Sequence, residues 1–488
     1  MKKNDYLLLI ATGAYSFLFY RQNAGINFLL FTLILLLVLV LKNVKLLKSK
    51  QWLWAALLCV ASAASVFVHS SALSIIGNIL SLLLVSAFSF NVATSNIFSF
   101  LFSAYSIVSS LVYIVLDTIK RAQPKENENT KKNGIKVLAT FIVFLLSALF
   151  FSMYKSSNPL FAENTRWINF DFISAAWIFF TLGGFLMVYG FFYHRPIEQV
   201  EAWENGLSVT NKNAIENDSN RKRFETERYA GLLLFVVLNL MLVVLNMGDI
   251  QTLYFNGGLP KNVTHSDFVH SGVAIIILSI IIATSFIMYL CRNEFANVKS
   301  NKALMVCIYL WIFQNIIMLS STAFRNRIYI HEFNFTYKRV GVYVWLLMAA
   351  CGLCIMFFKI YKQKSNWYLI RTNVALWFSV LILSGCFNWD KLITRYNIQN
   401  KPLAGVDYYY LFYLSDANIP ELMAVTKQPG FSEFNAKLKN YTGRVLTRYH
   451  TETYIQLLNA KIERYLSDYN SDWRSFDLRD KQILESIY

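Results

Sequence analysis

A chain of 488 residues that is 56% apolar or aromatic, only 15% charged, and has a mean hydropathy of +0.40 belongs with membrane proteins, not with soluble enzymes. Its formal charge of +17 does not point to nucleic acid, because residues 387–488 hold 13 basic and 12 acidic side chains and nearly all the surplus lies in short stretches beside apolar runs. The six cysteines (Cys59, Cys291, Cys307, Cys351, Cys354, Cys386) all fall within or at the ends of such runs, which excludes a disulfide framework.

A membrane-crossing helix needs about 20 apolar residues. In chain order the predicted spans are Tyr6–Tyr20, Ile26–Leu41, Trp52–Val68, Ala72–Phe90, Val137–Tyr154, Phe172–Tyr193, Tyr229–Met247, Val269–Cys291, Ala303–Ser321, Val340–Tyr361 and Trp367–Cys386. The first two are short and read as a tight hairpin. Lys2 and Lys3 before an apolar run resemble a signal peptide, but a second run follows at once, so a retained anchor is expected. A further apolar segment, Ile97–Ile119, is rich in Ser and Tyr. The Lys-rich stretches 42–51 and 120–136 should both be cytoplasmic, so an even number of crossings separates them, and Ile97–Ile119 is read as interfacial or re-entrant.

The result is an all-α polytopic membrane protein of about 11 (10–12) transmembrane helices, with its N-terminus cytoplasmic and its C-terminus extracytoplasmic, in a bacterial cytoplasmic (inner) membrane. The inner segments then carry 24 Lys or Arg, whereas the outer ones, apart from residues 320–339, carry Arg21, Lys155, Arg166 and Lys261. Residues 1–386 form the transmembrane domain and 387–488 a soluble, mostly helical outer domain. Gln123–Asn133 is polar and is expected to be disordered, as is the middle of the inner loop His194–Arg228. In the C-terminal domain, Tyr408–Tyr413 is a dense aromatic patch, Ser415–Asn418 with Pro420 offers a helix start, and Phe431–Leu466 repeats apolar positions at helical spacing.

No Asp, Glu or Lys falls near the middle of a predicted span, which argues against a transporter with a carboxylate switch. Asn78, Asn239, Gln314 and Asn315 are read as helix–helix glue, and Gly183–Gly184 as a close-packing position. The segment Phe324–Arg339 is exceptional: it falls outside yet carries Arg325, Arg327, Lys338 and Arg339. An arginine cluster there can hold an anionic lipid headgroup or a lipid-linked glycan through its diphosphate, or it can pair with Glu332, Asp249, Asp267 or the acids of the C-terminal domain and dock that domain. Docking is the favoured reading. Tyr329 would lie at the membrane interface in either case. His265, Asp267 and His270, with His331 and Glu332, are the other outer candidates, but their spacing matches no known metal site, so neither a metal nor a cofactor is expected.

At this segment the chain resembles an uncharacterised bacterial family of multi-pass membrane proteins, catalogued under domains of unknown function 4153 and 4173. The family pattern of an Arg, a Tyr, Gly-Leu-Thr and a final Arg is matched by Arg325, Tyr329, Asn334-Phe335-Thr336 and Arg339. Asn stands in place of Gly, and Asn is the next most tolerant residue of a left-handed turn. Phe19-Tyr20 with Gly25-Ile26-Asn27, His265–Gly272, Arg395–Asn397, Leu414–Ala417 with Pro420, and Asp472–Ser475 agree as well. The resemblance implies fold and location and carries no activity with it. Three functions follow for weighing: a non-enzymatic envelope sensor, scaffold or regulatory protein meeting other envelope proteins; a membrane-embedded transferase or ligase acting on lipid-linked glycans; and a transporter. The first is favoured, and catalysis is left open.

Overall fold

Apolar runs in a hydrophobic setting become helices because their backbone N–H and C=O groups find no partners except each other. A computed structural model describes residues 3–122, the positions 143, 147, 150 and 151, and then 153–165, 174–209, 218–254, 265–292, 302–438 and 453–488. Among the described residues every regular element is a helix. The expected polar loop Gln123–Asn133 and most of the expected span Val137–Tyr154 lie outside the described residues. Among the described residues six helices are long and apolar enough to cross a membrane, or seven with one bent pair, and three shorter apolar helices accompany them. The chain is a helical membrane protein.

Two compact units emerge. The first comprises residues 1–204, 381–388 and 466–488, and the second 205–380 and 389–465. Residues after 386 are therefore shared between the two.

In the first unit run α1 (Lys3–Phe19), α2 (Ile26–Lys42), α3 (Lys50–His69), α4 (Ala72–Phe90), α5 (Asn96–Val108), α6 (Ser110–Ala122), α7 (Pro159–Asn164), α8 (Ala175–Phe192) and most of α9 (Glu198–Gly206). Ser49, Ser71 and Ser174 start α3, α4 and α8 by accepting from the backbone N–H three residues ahead. Small residues let these helices approach closely. A methyl at Gly190 would stand 2.5 Å from Ile107 Cα, so α5 and α8 touch backbone to backbone, and one at Gly184 would fall on the Tyr15 ring. Asn78 is fully buried and donates to Thr32 Oγ1 (3.2 Å), Cys59 O and Ser62 Oγ (both 3.3 Å), which makes it the expected glue between helices. The ambiguous segment Ile97–Ile119 breaks at Ser109, where α5 and α6 meet at 64°. That bend fits a broken span or a re-entrant pair.

The last helix of this unit is capped by a buried acid. Asp477 Oδ1 accepts from the Asp480 backbone N–H at 2.6 Å, and its other oxygen lies 3.1 Å from Arg479 Nη2. Burial outweighs the guanidinium and pushes this carboxyl up to about 6. Between the ordinary carboxylate value and about 6 the folded chain therefore holds a proton that the unfolded chain has released. The stability this contributes is fully present below that window and is lost as pH rises through it. Unfolding midpoints in detergent should fall between about pH 4 and about pH 6, and Asp477→Asn should remove that part of the slope; an unchanged slope in the variant would refute the assignment.

In the second unit run α10 (Asp218–Tyr254), α11 (His265–Leu290), α12 (Lys302–Phe333), α13 (Tyr337–Tyr361) and most of α14 (Asn366–Ser384). Phe235, Ile287, Leu304, Ile308, Trp311, Met318 and Leu353 form their buried core. Asn239 and Gln314 are bonded to each other at 2.6 Å across α10 and α12, as expected of glue, whereas Asn315 donates to Trp311 O of its own helix. The rest of this unit is built from α15 (Trp389–Asn400), α16 (Tyr408–Tyr413), α17 (Ile419–Val425), α18 (Phe431–Leu438) and α19 (Tyr454–Asp468) up to residue 465. Its aromatic patch turns inward at Tyr408, which with Tyr454 is fully buried and meets it edge to face at 5.1 Å, while Tyr413 at the patch's end is exposed. The helix start expected near Pro420 is present, as α17 with that proline in its first turn. α20 (Leu478–Ile487) is the capped helix of the first unit.

Candidate functional site

Phe324–Arg339 is expected from its charges to be a connection, and most of it is helix. Nothing between Ser321 and Phe333 breaks a helix, and Thr322, Asn326, Tyr329 and Ile330 are buried at helical spacing, so α12 runs on to Phe333. At 1.5 Å per residue its 32 residues span about 48 Å, against a hydrocarbon core of about 30 Å, so the charged turns extend clear of the apolar run. The turn itself is Asn334–Thr336. Asn334 has φ 75°, the left-handed conformation anticipated from its replacing Gly.

The candidate side chains separate into three environments. Arg325 is ion-paired with Asp249 of α10, and both side chains are nearly buried. One helical turn earlier on α10, Asn246 donates to Gln314 O at 3.1 Å. Arg339, in the first turn of α13, lays its guanidinium over Tyr329, 4.3 Å from the ring centroid, and donates to Phe333 O at 2.7 Å. It thus fastens the two sides of the turn together. Arg327, His331, Glu332 and Lys338 are exposed, with His331 Nδ1 3.6 Å from Glu332 Oε1, and Thr336 is half-buried at the N-cap of α13. His265, Asp267 and His270 belong to the first turns of α11, and their side chains lie outside the described residues. Among the described residues no group of three or more His, Cys, Asp or Glu side chains converges on a metal position.

What meets this turn is the stretch that follows α14. Asn397 of α15 grips Phe335 at both ends, accepting from its N–H at 2.6 Å and donating to its C=O at 2.9 Å. Tyr410 Oη accepts from Tyr337 N at 2.9 Å, Asn334 Nδ2 donates to Gly405 O at 3.2 Å, and Lys401 Nζ donates to His331 O. Tyr396 packs on Phe335, edge to face at 5.3 Å. Asn397→Ala strips a part-buried backbone donor and acceptor of their partner and is expected to cost about 1–3 kcal/mol. Hydrogen exchange at Phe335 reads this directly, and unchanged protection would contradict it.

Charge and motif point to the α12–α13 side of this contact and not to Lys401 or Tyr410. Asn397 belongs to a stretch that resembles the family, but nothing local to it discloses its partner. Lys401 and Tyr410 carry no signal beyond a lysine and a tyrosine in an aromatic-rich segment.

A second meeting of distant segments occurs in the first unit, at the α1–α2 turn. Gln22 Nε2 donates to Asp472 Oδ2 at 3.2 Å, and Ser475 Oγ donates to Gln22 Oε1 at 2.7 Å. The Asn23 and Ile26 N–H groups donate to Ser475 Oγ and Phe476 O, both at 2.9 Å. Gly25 lies so close to this segment that a methyl there would stand 2.6 Å from Phe476 O and nearer still to Ser475 O. The α3–α4 turn joins through Ser70 Oγ, which donates to Ala24 O at 2.5 Å.

The family model described as Domain of unknown function (DUF4153) matches residues 7–425. No curated protein and no solved structure matches the chain.

Proposed function

The chain belongs to the DUF4153 family, and we propose that it is a non-enzymatic envelope sensor, scaffold or regulatory protein, in which Phe324–Arg339 docks residues 389–465 rather than binding a substrate. One observation carries this reading: the backbone around the turn and two of the segment's four basic side chains are engaged inside the fold, by Asn397, Lys401, Gly405 and Tyr410 around the turn and by Asp249 and Tyr329 at Arg325 and Arg339, while Arg327 and Lys338 stay exposed. A guanidinium stacked on a ring and bonded to a carbonyl is already engaged, and a diphosphate would have to displace those contacts.

The reading includes an inner-membrane location with the N-terminus cytoplasmic and the residues after 386 extracytoplasmic, facing the lipid bilayer and other envelope proteins. Two contacts support the parity of that topology. In it both the α1–α2 turn and the Asn334–Thr336 turn are outer, and each is bonded to residues that follow α14. The α1–α2 turn lies one crossing from the N-terminus, so an odd number of crossings separates the two ends, in keeping with eleven spans.

A deletion strain, examined for lipid-linked intermediates and complemented with Arg339→Ala, tests the proposal. It expects no accumulated intermediate, and a variant that fails only through reduced protein level. Accumulation of a lipid-linked diphosphate, reproduced by a normally abundant Arg339→Ala protein, would replace the proposal with the transferase reading.

A further inference from the structure

We infer that residues 472–476 form a strap seated in the interfacial layer of the lipid bilayer, with Trp473 and Phe17 side by side at the boundary between headgroups and acyl chains. The inference rests on α1 and α2 being crossing helices, and it adds the depth at which the chain's last segment sits.

Length is the first argument. α1 and α2 have 17 residues each, about 26 Å of helix, which falls short of a hydrocarbon core of about 30 Å. A hairpin that short draws its turn toward the apolar layer, where water no longer satisfies the backbone groups of residues 20–25.

Hydrogen bonding is the second. The strap and its neighbours supply what water would: Ser475 Oγ and Phe476 O take the Asn23 and Ile26 N–H groups, Asn470 Nδ2 reaches Arg21 O at 3.3 Å, and Ser70 reaches Ala24 O. A turn standing free in water needs none of these. A turn held at the edge of the hydrocarbon needs all of them.

Side-chain chemistry is the third. Trp473 is 56% exposed and Phe17 is 58% exposed, with their rings 6.2 Å apart beside the C-terminal end of α1. Trp is the residue enriched at this depth, having an apolar body and one N–H to offer the headgroups. The adjacent charge is arranged to be tolerated there. Arg474 lies over Phe17, 5.1 Å from its centroid, donates to Phe17 O at 2.6 Å, and is neutralised by Asp472 at 2.5 Å. The Asp-Trp-Arg-Ser sequence thus places an aromatic anchor between two halves of an internal ion pair.

The test replaces Trp473 with the photo-crosslinking residue benzoylphenylalanine in the otherwise unaltered chain, reconstituted in phosphatidylethanolamine–phosphatidylglycerol vesicles, and detects lipid adducts by mass spectrometry. Phe17 carries the probe in a second variant, so a folding failure at one position leaves the other. Leu57, 58% exposed on α3, serves as the lipid-facing reference, and the exposed Glu485 as the aqueous one. Lipid adducts at positions 473 and 17 comparable with position 57, and absent at 485, are expected. Adducts at 57 without any at 473 or 17 would overturn the strap, and none at 57 would overturn the membrane reading beneath it.

Discussion

Gly25→Val is expected to release the end of the chain from the α1–α2 turn and to lower the stability of the first unit by at least the about 1–3 kcal/mol usual for overpacking. The reason is steric and not conformational. Gly25 has φ −171°, an extended backbone open to any residue, but its missing side chain is the space into which Ser475 and Phe476 bring their carbonyls. Flexible side-chain ends can move aside, whereas these obstacles are backbone, and one of them accepts the Ile26 N–H. Any Cβ therefore separates the strap from the turn, and the bonds of Gln22 and Asn23 to Asp472 and Ser475 go with it. Unfolding midpoints in detergent and tryptic cleavage after Arg474 and Arg479 report the two consequences. Gly183→Ala is the control, since nothing lies within 4 Å of its added carbon and helix propensity favours alanine by about 1 kcal/mol. A Gly25→Val protein with wild-type melting and wild-type protection of its last segment would show that the close approach is dispensable.

The sequence announces helices well where hydrophobicity alone decides, and less well where a distant partner decides. The expected span Ala72–Phe90 coincides with α4, and Val340–Tyr361 needs only one further turn at its start to become α13. At α4 the apolar run, the serine cap and the polar interruption coincide. At Phe324–Arg339 they part company. Four basic residues read as a break in the membrane pattern, while the buried positions Thr322, Asn326, Tyr329 and Ile330 continue the helix beneath them. Charge marks where a helix leaves the hydrocarbon, and periodicity marks where it ends. The two points differ here by about three turns.

The site was legible to the same extent. A left-handed Asn334 and a carboxylate for the arginines, Asp249 among those named, follow from residue chemistry, whereas the stacking of Arg339 on Tyr329 does not. Nor do the partners of the turns' backbones. Gln22 and Asp472 stand 450 residues apart, and Phe335 and Asn397 stand 62 apart, with no local pattern joining either pair. These contacts form because each turn presents backbone groups that must be paired once buried. An asparagine or serine anywhere in the chain can meet that need, so composition does not reveal which one does.

Arg325→Met is expected to have the other large effect, about 3–5 kcal/mol, because it leaves the Asp249 carboxylate nearly buried without the guanidinium that balances it. Removing both charges should be far milder. Asp249→Leu with Arg325→Met puts apolar groups where α10 and α12 meet, one turn from the Asn246–Gln314 contact and in the same helix pair as the apolar core of Phe235, Trp311 and Met318, and buried ion pairs replaced in this way are often neutral or stabilising by about 1–4 kcal/mol. A double-mutant cycle on unfolding midpoints in detergent measures the coupling. The same double variant separates the two roles open to Arg325. If the arginine holds α12 to α10, the double variant folds and complements a deletion strain. If it serves an anionic ligand, the double variant folds to wild-type abundance and fails to complement, because a restored interface does not restore a guanidinium. The pairing with Asp249 predicts the first result, since a side chain already committed to a buried carboxylate contributes to assembly before it can contribute to recognition.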